Sequence, residues 1–177
     1  LFGGSFMKLK SINPATGKEI ALYKEMNLDE VESILLNVNS SYIKWKETSF
    51  SYRAQLLKNA AKVIQDKKED LAKIITLEMG KPFFQAVAEV NKCASVCHYY
   101  ANNAEKILEN QIIETEASKS YLAYRPIGII FAVMPWNFPF WQVLRFAAPA
   151  LMAGNVCVLK HASNVQGCAL EIEKIFH

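Results

Sequence analysis

Three polar side chains stand where this sequence could do chemistry. Asn137 lies in Met134-Pro135-Trp136-Asn137-Phe138-Pro139, Lys160 closes the apolar stretch NVCVLK, and Arg145 interrupts the apolar run FWQVLRFAAPALMAG. A side-chain amide offers an NH₂ donor to developing negative charge. A lysine at the end of a strand can hydrogen-bond a ribose hydroxyl or a phosphate. An arginine among apolar residues needs a partner or a ligand. Each has a plainer reading. Asn137 would only cap the helix that follows, and caps far outnumber oxyanion holes. Lys160 would be a solvated lysine, and Arg145 would sit in a structural ion pair.

The elements around these residues follow from hydrophobic periodicity. The runs IGIIFAV and NVCVLK are continuous and apolar, which suits strands buried on both faces. Between them, residues from about Phe140 to Met152 read as a helix, with Gly154 fit for the C′ position. A further helix starts near Val165, with Cys168, Ala169, Ile172, Ile175 and Phe176 on one face. Strand, helix, strand, helix is the opening of a parallel doubly wound sheet, whose ligands bind beyond the carboxyl ends of the strands. Phe138 precedes a proline and is pushed to an extended conformation. Asn137 then falls at or just before a helix N-terminus, where backbone donors and the helix dipole favour negative charge.

The upstream half is helical. Asn13-Pro14-Ala15-Thr16-Gly17 is turn chemistry between two strand-like runs, a hairpin. Val31, Ile34, Leu35, Val38, Tyr42 and Trp45 recur at helical spacing behind Asn27 as N-cap. A second helix follows Thr48 or Ser49, with Leu56, Leu57, Ala60, Ala61 and Ile64 inward. A third carries Leu71, Ile74, Ile75 and Leu77 and stops at Gly80. A fourth starts with Pro82 near N1 and runs to about Leu108. QIIETE and SYLAYRP are two short strand-like stretches. The fold class is therefore α/β: a helical segment leading into the first half of a Rossmann-like parallel sheet, incomplete because no third strand follows.

Composition narrows the function. A net charge of +3 over 177 residues, without a cluster of basic and aromatic residues, argues against a nucleic-acid surface. No apolar stretch has the length of a membrane span. Cys93, Cys97, Cys157 and Cys168 fit neither a zinc site nor a disulfide framework, and read as reduced thiols of a cytoplasmic protein. Cys93 and Cys97 stand one helical turn apart as core residues, and none of the four has a basic neighbour in sequence to make it a nucleophile. There is no G-x-G-x-x-G after the first buried strand, so a pyrophosphate would have to be held otherwise. Residues 1–6 read as a remnant preceding a natural start at Met7.

PWNFP followed by ALMAGNVCVLKHAS, together with TLEMGKP at 76–82 and INPATGKEI near the start, resembles the aldehyde dehydrogenase family over nearly everything from Ser11 to His177. It is most similar to the short bacterial succinate-semialdehyde type. The resemblance implies oxidation of an aldehyde to its acid with NAD or NADP. In that chemistry a cysteine thiolate attacks the carbonyl, hydride passes to the nicotinamide, and a glutamate-activated water releases the acid. It makes Asn137 the catalytic oxyanion donor. The cofactor side becomes Met134, Pro135 and Trp136 with Lys160, His161, Ala162 and Ser163. Arg145, fifteen positions before Lys160, becomes the partner of the substrate carboxylate. The thiols lack further ligands at metal spacing, so no metal is expected. The resemblance further implies a dimer or tetramer, and division into 7–110, an oligomerisation strand pair at 111–125 and a cofactor domain opening at 126–177.

Two departures from the family pattern carry expectations. Many NAD-selective members have a glutamate three positions after the lysine, which repels a 2′-phosphate. Ser163 stands there, so NADP should be accepted. His161 replaces the usual proline. The nucleophilic cysteine and general-base glutamate of the family fall beyond residue 177, so the resemblance implies the N-terminal part of the enzyme, inactive alone. A competing reading keeps the fold without catalysis, as a truncated product that binds nucleotide or pairs with full-length subunits. With half a sheet and an uncovered helix face, the piece alone should be marginally stable or aggregation-prone.

Overall fold

The computed structural model describes residues 9–176; the expectation of a start at Met7 concerns residues outside that range. Strands β1 (Leu9–Ile12) and β2 (Glu19–Tyr23) form the antiparallel hairpin. Asn13 closes its turn: its carbonyl accepts from Gly17 N at 2.8 Å and its side-chain oxygen from Ala15 N at 2.9 Å. Helix α1 (Leu28–Trp45) opens with a capping box between Asn27 and Glu30. Ser49 caps α2 (Phe50–Asp66), accepting from Tyr52 N. Helix α3 (Lys68–Met79) ends at Gly80, whose φ of +79° is the left-handed conformation glycine adopts without strain. A Cβ on Gly80 would also come within 2.8 Å of Pro14 Cγ, so the hairpin turn packs directly on the end of α3. Helix α4 (Phe83–Ile107) follows, with Pro82 just outside its first turn.

These helices share one core with the second half of the chain. Leu57, Ala61 and Ile64 of α2, Leu71 and Ile75 of α3, and Val90, Cys93 and Cys97 of α4 meet Phe140, Leu144 and Met152. Phe140 precedes α5 (Trp141–Met152), the crossover helix between β5 (Ile129–Val133) and β6 (Val156–Lys160). The strands are parallel, with Ile129 opposite Val156 and Val133 opposite Lys160. Asn155 fixes the entry to β5, its side-chain oxygen accepting from Ile127 N at 2.7 Å and Gly128 N at 3.0 Å. Helix α6 (Gln166–Phe176) packs against α3 and α2. Between the halves, β3 (Gln111–Ile112) and β4 (Tyr121–Leu122) pair antiparallel over two residues each, with all four exposed.

The expected order of elements is the observed one; the expected burial is not. The run 127–133 suited a strand covered on both faces. Ala132 is buried and Ile130 half-buried, but Phe131 and Val133, on the other face, are 65% and 62% exposed. Continuity of apolar residues records a demand for cover, and no described element meets it on that side. The same holds for α1, which lies along β6 and β5 but has no fully buried residue. Two bonds tie it down: Trp45 Nε1–H to Leu151 O at 3.1 Å and the Tyr42 hydroxyl to Pro126 O at 3.4 Å. Leu56, expected in the core, lies at its exposed margin, and Phe176 is likewise exposed.

Candidate functional site

The two parallel strands end side by side. Met134 N donates to Lys160 O at 3.1 Å, so the loop from Met134 and the loop from His161 leave the same edge of the sheet. This is the ligand end of a parallel sheet.

Asn137 is exposed there, and its side chain bonds to no other described residue. It does not cap α5. The N-cap position is Phe140, which makes no side-chain cap bond. The cap comes from α4 instead. Phe140 N and Trp141 N both donate to Glu89 Oε1 at 3.0 Å. The other Glu89 oxygen pairs with Lys81, whose ammonium lies 3.7 Å from the centre of the Phe138 ring. The donors and dipole expected to help Asn137 bind an anion are thus already occupied by a carboxylate. If Asn137 holds an oxyanion, it does so by its amide and not with the end of α5.

The next helix is built the same way. Gly167 N and Cys168 N donate to the two oxygens of Glu78, each at 2.9 Å, and the Tyr23 hydroxyl donates to Glu78 Oε1 at 3.0 Å. Glu78 is 2% and Glu89 4% exposed. The approach of Glu78 requires glycine at 167, where a Cβ would lie 2.6 Å from Ile74 Cδ1 and 2.8 Å from Glu78 Oε1. Gly167→Ala should cost about 1–3 kcal/mol of stability in denaturant unfolding. An unchanged midpoint would mean that Ile74 and Glu78 yield freely.

The remaining candidates fall into two groups. Lys160, Ser163 and Arg145 are exposed, and neither cationic side chain has a carboxylate partner among the described residues. The structural ion pair for Arg145 is therefore not made within them. Pro135 and Trp136 are exposed, and Trp136 forms a wall of a shallow cleft of about 350 Å³ shared with Pro14, Met79 and Asn164. Met134 and Ala162 pack partly against the core. His161 is turned inward: Nε2 lies 2.8 Å from Pro139 O, and Nδ1 accepts from Ala162 N at 2.8 Å. Burial, more than any neighbour, lowers its pKa below the ordinary imidazole value.

Cys93, Cys97 and Cys168 are buried and Cys157 is half-buried. Burial pushes Cys97 and Cys157 up to about 12, and raises Cys93 and Cys168 as well. At neutral pH they are protonated and unreactive.

Glu78, Glu89 and Lys81 carried no role in the sequence reading, although two of them stand in TLEMGKP. A signal was present. Glu78 continues the inward row Leu71, Ile75, and Glu89 lies between Ala86, Val90 and Cys93 on the buried face of α4. An acid at a core-facing helical position requires a buried partner, though sequence does not say that the partner is a helix end far along the chain.

The fold and these strand ends fit one family, and a model of the aldehyde dehydrogenase family matches residues 3–177. The chain belongs to that family. It is 50% identical over 170 residues to a probable succinate-semialdehyde dehydrogenase (NADP(+)) of Synechocystis sp., covering 96% of this chain and 37% of that protein. It is 43% identical over 166 residues to the Escherichia coli succinate semialdehyde dehydrogenase (NAD(P)+) Sad, covering 94% and 36%. The structure of succinic semialdehyde dehydrogenase from Streptococcus pyogenes in complex with NADP+ superposes with a TM-score of 0.91 at 32% identity, over 95% of this chain and 37% of that one. The chain spans a little over a third of the length of these relatives.

Proposed function

We propose that this chain forms the N-terminal part of an NADP-accepting aldehyde dehydrogenase acting on succinic semialdehyde. The observation that carries the reading is a division of labour at the strand ends. The polar groups that hold the loops are paired and buried, while the Asn137 amide, the Lys160 ammonium and the Arg145 guanidinium are exposed without a hydrogen-bond partner among the described residues. Asn137 donates to the oxyanion formed from the aldehyde carbonyl, and Arg145 pairs with the distant carboxylate of the substrate.

The residues present fit one end of the cofactor. Lys160 and Ser163 suit the adenosine ribose and its 2′-phosphate, with Met134, Pro135 and Trp136 at the neighbouring strand end. They do not fit the pyrophosphate, because Glu78 and Glu89 already take the backbone donors of both helix N-termini. When bound, the nicotinamide supplies the oxidant. The four protonated thiols, three of them buried and Cys157 half-buried, support a nucleophile outside these residues, so the 177-residue chain alone does not turn over. Free thiols suit the reducing cytoplasm. The exposed Ile112, Tyr121 and Leu122 of the strand pair suit contact with a neighbouring subunit in a homo-oligomer.

The test uses the protein that carries this chain. Arg145→Ala should raise KM for succinic semialdehyde roughly 10- to 100-fold, the worth of one hydrogen-bonded charge, and leave butanal oxidation unchanged. An unchanged KM for succinic semialdehyde removes the carboxylate role. The wild type should use NADP at least as well as NAD; turnover with NAD alone would overturn the reading of Ser163.

A further inference from the structure

The ring of His161 joins the two loops of the site. It is 4% exposed, and both of its nitrogens meet main-chain groups: Nε2 the carbonyl of Pro139 and Nδ1 the amide of Ala162, each at 2.8 Å. An amide N–H can only donate, so Nδ1 is the acceptor and carries no proton. The proton of the neutral ring is therefore on Nε2, where it donates to Pro139 O. One tautomer alone satisfies both contacts.

The charges around the ring come from three elements. Glu78 on α3 and Glu89 on α4 favour a second proton; Lys160 on β6 opposes it, and burial opposes it most, keeping the ring neutral. Lys81, before α4, is paired with Glu89.

Pro139 stands two residues after Asn137, and Ala162 one before Ser163. From the α4 side, the Asn137 loop is held by Glu89 on Phe140 and Trp141 and by Lys81 against Phe138. Among the described residues, the imidazole makes the side-chain hydrogen bond that ties this loop to the end of β6. We propose that His161 is a positioning residue, a strut that sets the Asn137 loop at a fixed separation from the strand end bearing Lys160 and Ser163 by donating through Nε2–H. The proposal rests on the dehydrogenase reading given above.

In the protein carrying this chain, His161→Leu fills the space without a donor, whereas His161→Gln keeps a donor at similar reach. Displacing an oxyanion donor lowers kcat, and a shift of about 1 Å can cost on the order of 100-fold. The expected result is a kcat loss of roughly 10- to 100-fold in His161→Leu with aldehyde KM little changed, and recovery of most of it in His161→Gln. Independently of activity, side-chain ¹⁵N spectra of the protein labelled at histidine should show His161 as the neutral Nε2–H tautomer at pH 7. Full activity in His161→Leu, equal losses in Leu and Gln, or an Nδ1–H pattern overturns the strut. A wild type that oxidises no aldehyde overturns the function itself, a result distinct from an active wild type indifferent to position 161.

Discussion

Glu89→Ala should destabilise the protein by about 3–5 kcal/mol, the usual cost of removing one member of a buried ion pair. The carboxylate does two things at once. It neutralises Lys81, itself 5% exposed, and it accepts the first two N–H groups at the start of α5. Truncation leaves a buried cation and two unsatisfied donors. Glu89→Gln separates the terms: an amide oxygen can still accept from Phe140 and Trp141, so what remains is the uncompensated charge of Lys81. Removing that charge as well, in Lys81→Met with Glu89→Gln, should recover part of the loss, because an apolar replacement of a buried pair is often neutral. With Lys81→Met alone to complete the cycle, denaturant unfolding of the wild type, the Lys81→Met and Glu89→Gln single variants and their double variant gives the coupling directly, provided the m-values agree. A loss below about 1 kcal/mol in Glu89→Ala would mean that water reaches Lys81 and both amides, and would remove the carboxylate from the account of the loop.

Residues acting through local pattern were legible in the sequence. The N-cap at Asn27, the helix stop at Gly80 and the parallel strands flanking a crossover helix all follow from spacing and turn chemistry. So did the placing of Asn137 and Lys160 at adjacent strand ends, since a βαβ unit brings both to one edge. What sequence hid was the support of that edge. Glu89 acts 51 positions upstream of Phe140, and Glu78 acts 89 positions upstream of Gly167. No helix signal encodes which distant carboxylate caps which helix. The resemblance markers gain a physical reading from this. In TLEMGKP, Glu78 caps α6, Gly80 makes room for Pro14 of INPATGKEI, and Lys81 pairs with Glu89. The local expectation for α5 failed for the same reason: a helix N-terminus behind a polar residue suggested a cap by Asn137, but a tertiary carboxylate had replaced the local one.

That replacement makes Asn137 a clean test of function. A side chain that capped α5 would cost about 1 kcal/mol on truncation. Asn137 is exposed and bonds to no other described residue, so Asn137→Ala should leave stability within about 0.5 kcal/mol. On the proposed reaction the same change removes the side-chain donor to the oxyanion. The protein carrying this chain should then lose roughly 10²- to 10³-fold in kcat, the usual worth of one such donor. Because the bond strengthens only as charge develops on the carbonyl oxygen, kcat and kcat/KM should fall together and KM should move little. Asn137→Asp sharpens the test. It keeps the size of the side chain and replaces the donor with a carboxylate that accepts only, beside the oxygen that becomes negative. Its turnover should be at or below that of Asn137→Ala, with the fold again intact. Aldehyde oxidation retained within about threefold in Asn137→Ala would remove the amide from the chemistry, whereas a lost fold in either variant would return it to the role of a structural residue.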